Sequence, residues 1–363
     1  ITIGGSSAGG NSAVGSARGV TTILTKNLNV SAVKGTAELG YSGPSSGNII
    51  VNATGNIAVV GKSASVFAEI GNLGSSNQAV SGNITIADAG SFTLTNGILG
   101  NIVLGNTVAT GKVGLTAASL TASGASLLSG NSADITLTGA GAGVGSSGNA
   151  LNTVVGAIAI QTNNGSVFLA APQNALSIGV GSRGINLGSG SLTLTTGGSI
   201  TQTAAIKAAA VNLSATSGSI SLANAANAFG TIVLSAKGSA TIGDASSLTV
   251  GNATVGGDLT LLSKGDLIFT KSIQLLKGAL VAVAGWSGSG ASVASGTYGN
   301  NGRSITIGGS GASGDVAVGS ASGATTLAGA DINLQAINGF AQIGYHGGGS
   351  GAINVFATDD VTL

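Results

Sequence analysis

Cysteine and methionine are absent from the 363 residues, and proline occurs only at Pro44 and Pro172. Without cysteine the chain can build neither a disulfide framework nor a thiolate metal site, and the absence fits an oxidising exterior. Without an initiating methionine it is expected to be a processed or excised piece of something longer. Charged residues make up 6% and the net charge is +1, where about 25% charged is usual for a soluble domain. So weak a field gathers neither phosphates nor anionic lipid, and no nucleic-acid partner is expected. No apolar run reaches the roughly 18 residues of a membrane helix. The longest candidate, Leu275 to Val283, is broken by Lys277 and Gly278, so no membrane insertion is expected.

What is present is glycine, 65 residues, with an apolar fraction of 43%. That much apolar surface excludes a disordered Gly/Ser linker. The apolar residues alternate. Leu192 and Leu194 precede Gly198 and Ile200; Val211 and Leu213 precede Gly218, Ile220 and Leu222; Ile232 and Leu234 precede Gly238 and Ile242. Gly198, Gly218 and Gly238 stand 20 residues apart, and after a seven-residue slip Gly265 and Gly285 are again 20 apart. A fixed period near 20 with two-residue alternation inside it marks a solenoid of stacked strands.

A longer repeat encloses the short one. Residues 1–59 match residues 305–363 without a gap, and 29 of the 59 pairs are identical at a constant offset of 304. Residues 1–304 are read as one long repeat and 305–363 as the start of the next, with no globular boundary between them. Nine glycines are kept between the copies, including Gly40/Gly344 and Gly43/Gly347, as are Ile49/Ile353 and Val51/Val355. Charges are not. Glu38 faces Gln342, while Asp315 and Asp331 face Asn11 and Asn27. A backbone plan held while ionisable groups drift points to a scaffold.

The expected fold is all-β, a parallel β-helix with coils of about 20 residues. Inward apolar residues alternate with outward Thr, Ser or Asn, and Asn or Gly turns the corners, as in Ile49–Val60 and Ile158–Leu169. Helix is nearly excluded; only KAAAVNL from Lys207 has helical composition. Both prolines are expected in loops. Roughly 18 coils at about 4.8 Å would make a rod on the order of 85 Å long. Gly40–Gly47, Gly139–Gly148 and Gly285–Gly302 read as loops leaving the coil. Parallel stacks leave open edges at their ends, which further copies of the repeat, stacked end to end, would cover.

GDLTLLSKGDLIFTKSIQLLKGALVAVAGW, with SGSLTLTTGGSITQTAAI and AAAVNLSATSGSISLANAAN, resembles the filamentous-haemagglutinin-like exoproteins of bacterial two-partner secretion and the related large repetitive biofilm adhesins. The resemblance covers most of the chain from about Asn48. It implies a right-handed parallel β-helix, an outer-membrane secretion route, and a secreted or bacterial cell-surface location. The shared pattern is structural, so it carries over no functional residue.

Catalytic chemistry finds no foothold in the sequence. A lyase or hydrolase on such a coil needs clustered carboxylates with a base or a calcium site. The eleven acids are scattered, and the pair Asp359-Asp360 is Gly55-Asn56 in the other copy. A single histidine, His346, cannot build a zinc site. No catalytic residue, metal or cofactor is expected, and the chain is read as no enzyme. One loop stands out: AGWSGSGASVASGTYGNNGRS holds Trp286, Tyr298 and Arg303, a set suited to a glycan or partner. The alternative is that Trp286 covers the coil edge. The sequence thus predicts a stalk module of a secreted adhesin or fibre, with a self-assembling filament subunit and a matrix-polysaccharide module as alternatives.

Overall fold

A computed structural model describes residues 1–5, 10–63, 66–74, 80–96, 101–108, 110–123, 126–288, 302–337 and 339–363. They form parallel β-coils, in two compact units, Ile1–Leu194 and Thr195–Leu363. Among the described residues there is no helix. KAAAVNL lies inside the strand Ile206–Ala215. There Val211 and Leu213 face inward and stack on Ile232 and Leu234 of the next coil, so pairing overrides local helical preference. Pro44 and Pro172 lie in a bend and a turn, where no ladder hydrogen bond is lost.

In the first unit each early coil has three strands. One face is the five-stranded sheet of Thr2–Gly4, Leu28–Ala32, Ile57–Gly61, Ser91–Asn96 and Ser119–Ser123. A second runs through Ser12–Val14, Thr36–Leu39, Phe67–Ile70, Asn101–Gly105 and Ser126–Ser129. The third runs through Thr21–Thr25, Ile49–Ala53, Ile84–Asp88, Lys112–Ala117 and Ser132–Ala140. Within each face neighbouring strands pair in parallel. The 20-residue coil does not hold here. Leu28 pairs with Ile57 and Ile49 with Ile84, steps of 29 and 35 residues. A third strand and longer corner segments fill the difference.

In the second unit the coil shortens to two strands and the expected period appears. Ile200 pairs with Ile220, Ile220 with Ala240, Ala240 with Leu259 and Leu259 with Leu280, steps of 20, 20, 19 and 21. The apparent seven-residue slip is a change of corner. The Gly238 amide bonds Gly218 and that of Gly257 bonds Gly238, whereas Gly285 bonds Gly265 at a different corner. A third face returns in Ile273–Leu275, Val316–Ser320 and Ala341–Ile343.

The core is a set of one-residue-deep columns. Ile200, Ile220, Ala240, Leu259 and Leu280 stack with at most 1% exposure, as do Leu222, Ile242, Leu261, Ala282 and Leu327. Each buried Ile or Leu contributes about 1.5–3 kcal/mol, and most of that comes from the coils directly above and below. Of the predicted loops, Gly40–Gly47 lies outside the strands apart from a bridge at Ser45, and Gly139–Gly148 does so only from Gly141, because its first two residues end the strand Ser132–Ala140. The third, Gly285–Gly302, is described only at 285–288 and 302.

Candidate functional site

Outward corner residues do a repeated chemical job. Each coil must pass its backbone around a corner where no ladder partner is in line, and a buried or half-buried N–H left unpaired is costly. In the first unit Asn27 Oδ1 accepts the Asn56 amide at 2.8 Å, and Asn56 Oδ1 accepts that of Ser91 at 3.0 Å. Asn48 and Asn83 repeat this for Asn83 and Lys112, at 2.8 and 3.0 Å. In the second unit serine serves: Ser199, Ser219 and Ser239 accept the amides of Ser219, Ser239 and Asp258 at 3.1–3.2 Å. Aspartate then takes over, with Asp258 Oδ1 accepting from Ala279 at 2.8 Å.

These ladders explain why charge drifts between the two copies. Asn11 Oδ1 accepts the Thr36 amide at 3.0 Å; its counterpart Asp315 accepts the counterpart amide of Phe340 at 3.0 Å. Asn27 serves Asn56 at 2.8 Å, and Asp331 serves Asp360 at 3.3 Å. The corner needs one carbonyl-type oxygen aimed at the next coil. Asn and Asp supply it equally, and at an exposed corner water solvates the extra charge.

Interior corners carry a second, buried set of polar residues. Asn72 and Asn106 are at most 1% exposed. Asn72 accepts the Tyr41 amide and donates to the carbonyls of Gly47 and Ser81, while Asn106 accepts the Asn72 amide and donates to Gly82 and Thr110. Asn227, also fully buried, bonds Gln202, Ile206, Leu222 and Gly243. The recurring Gly-Asn at 71–72 and 105–106 was the available signal for the first pair.

The predicted loop residues separate. Trp286 is 7% exposed and packs on Leu262, Val283 and Ala328, against Ala225 and Val281. Its ring also approaches Gly243, where a Cβ would lie 3.0 Å away. This is the edge-covering placement that the sequence also allowed. Arg303 is exposed, and its carbonyl accepts the Ala330 amide. Tyr298 lies outside the described residues. His346 stacks on Phe340 with ring centroids 4.8 Å apart, and its amide donates to Gln274 Oε1 at 2.5 Å.

Most titratable groups stand apart, the stacked pair Glu38 and Glu69 excepted. Among the described residues no three of His, Cys, Asp and Glu converge as a metal site, and no helix is long and apolar enough to cross a membrane. Burial pushes the Asp244 carboxyl up, and hydrogen bonds from Ser246 and Phe229 pull it back. Burial also raises Asp134, against the opposing pull of Arg183 at 3.3 Å. A cleft of about 540 Å³ between 119–122, 141–146 and 164–168 is lined by Leu120, Asn164 and Phe168, with no ionisable side chain. Another of about 390 Å³ is bordered by Lys237, Lys277 and the exposed Leu276.

A family model described as repeats of unknown function (DUF5649) matches residues 173–236. No curated protein and no solved structure matches the chain. The match agrees with a repetitive protein whose unit is the β-coil.

Proposed function

We propose that the chain is a rod module of a secreted bacterial surface adhesin or extracellular fibre, whose work is mechanical. One observation carries this reading. The corner hydrogen bonds of Asn11 and Asn27 are reproduced by Asp315 and Asp331, so the two copies keep an architecture and let surface chemistry vary. The resemblance to filamentous-haemagglutinin-like exoproteins supports secretion and surface location, and tandem copies would stack end to end as the stalk extends. Cryo-electron microscopy of the native, unproteolysed assembly tests it. Single rods with an axial repeat of one 304-residue unit and no lateral contacts are expected; a globular particle, or turnover on a glycan panel, would overturn it.

A further inference from the structure

Glu38 and Glu69 occupy the same position in consecutive coils. TAELG at 36–40 lies in parallel register with FAEIG at 67–71, and the two glutamates are direct partners, so their backbones are about 4.8 Å apart. Both residues are 0% exposed. The coils before and after place Ala13 and Val103 at this position, so neither register neighbour offers a charge or a hydrogen-bonding side chain. A Cβ at Gly71 would lie 2.8 Å from Glu69 Oε1, and one at Gly40 3.2 Å from Glu38 Oε1. Each carboxyl therefore folds back over the glycine two residues on.

Their hydrogen bonding is unequal. Glu38 accepts the Leu73 amide at 3.1 Å on Oε1 and the Ser42 hydroxyl on Oε2. Neither oxygen of Glu69 has a partner. The strands packed around them, Thr2–Gly4, Ser12–Val14, Leu28–Ala32, Ile57–Gly61 and Asn101–Gly105, carry no ionisable side chain. The one titratable side chain of the adjoining 40–47 loop is Tyr41, at 38% exposure. With no cation opposite, two anions cannot share this space. A metal ion is the poorer solution: a hard cation takes about six or more oxygens, and the Ser42 and Leu73 donors already point at Glu38.

We propose that Glu69 is protonated at neutral pH beside the Glu38 carboxylate, forming a latch that ties two coils and the 41–47 loop and that opens when the proton is lost. The unequal donors fix the direction: Glu38 is built to be the anion and Glu69 the acid. The electrostatics agree. Burial is the main force holding the Glu69 carboxyl well above the usual range, with the Glu38 charge adding to it. Burial also raises Glu38, and Ser42 and Leu73 restrain it. Because the folded state holds the proton more tightly than the unfolded chain, the latch contributes fully below the ordinary carboxylate range. Its contribution is lost as pH rises through the folded value of Glu69. The proton then leaves to solvent, and two adjacent carboxylates repel. The second copy has no such latch: Gln342 replaces Glu38, and its amide nitrogen donates to the Tyr345 carbonyl at 3.4 Å.

Infrared difference spectroscopy and thermal melts of the full chain test the proposal, comparing wild type with Glu69→Gln. Wild type should show a protonated-carboxyl stretch at pH 7 that Glu69→Gln lacks. Its melting midpoint should fall by several degrees between pH 6 and pH 9 relative to the variant. Glu38→Gln serves if Glu69→Gln fails to fold: the carboxyl band should persist, because burial alone holds that proton, and the fall in midpoint should be smaller but not abolished, because only the Glu38 charge is removed. An unchanged band in Glu69→Gln, or parallel pH profiles, would refute the latch. A midpoint raised by added calcium in wild type alone would refute it too, as a cation site.

Discussion

The two copies of the long repeat, residues 1–59 and 305–363, differ at half their positions and keep the same backbone turns. Gly40 and Gly344 both have positive φ, at 156° and 114°, as do Gly43 and Gly347, at 122° and 140°. The copies part at the loop that follows. In the first, Ser42 donates to the buried Glu38 and the Tyr41 amide reaches Asn72 at 3.2 Å. In the second, Gln274 accepts the His346 amide and donates to the Gly344 carbonyl, and His346 rests on Phe340. One loop path is thus fixed by two polar solutions. The glycine is the invariant part, because backbone crowding cannot be re-solved by a neighbouring side chain.

Substitution at that glycine should have the largest effect. A Cβ on Gly40 would fall on the Gly71 carbonyl oxygen, a backbone atom inside the stack. Gly40→Ala should therefore cost more than about 3 kcal/mol and unfold the local coils, as read by limited proteolysis and thermal melting. A loss of only about 1–2 kcal/mol, the size of backbone strain alone, would mean that conformation, not crowding, selects the glycine.

The loop contacts come next. Ser42→Ala removes a donor from a buried carboxylate and should cost about 1.5–3 kcal/mol in chemical denaturation. His346→Ala removes only exposed ring packing and should stay within about 0.5 kcal/mol. Smallest are the corner acceptors. Asn27→Asp and Asp331→Asn should each change stability by less than about 0.5 kcal/mol, while Asn27→Ala should lose about 0.5–1.5 kcal/mol. If Asn27→Asp proves as damaging as Asn27→Ala, the acceptor explanation of charge drift fails.

Alternation made the inward columns readable before any coordinates. The period expects alternate apolar residues inward along Ile49–Val60 and Ile158–Leu169, and Ile49, Val51, Ile57, Val59, Ile158 and Ile160 are at most 1% exposed. Coil length was readable only where corners are tight, as from Ile200 to Leu280. In the first unit the third strand and corner segments vary, so neighbours in space fall 29 or 35 residues apart and no fixed period survives in the sequence. Burial of polar groups was not legible. Asn72 lies in the Gly/Ser/Asn-rich run 71–77 and Glu69 takes the outward place in the alternation of VFAEI, and only stacking buries them. Trp286 looked like a loop aromatic because its partners Leu262 and Ala328 are distant in sequence.

The unequal steps between coils carry a last consequence. Leu259 reaches its partner Leu280 after 21 residues, yet Leu280 reaches Thr325 only after 45, in the same face and the same register. Alignment in this fold is counted in rungs and not in residues. A corner can therefore act as a port, admitting a foreign peptide, an epitope or a whole domain while the columns on either side stay matched, which suits the fold to display.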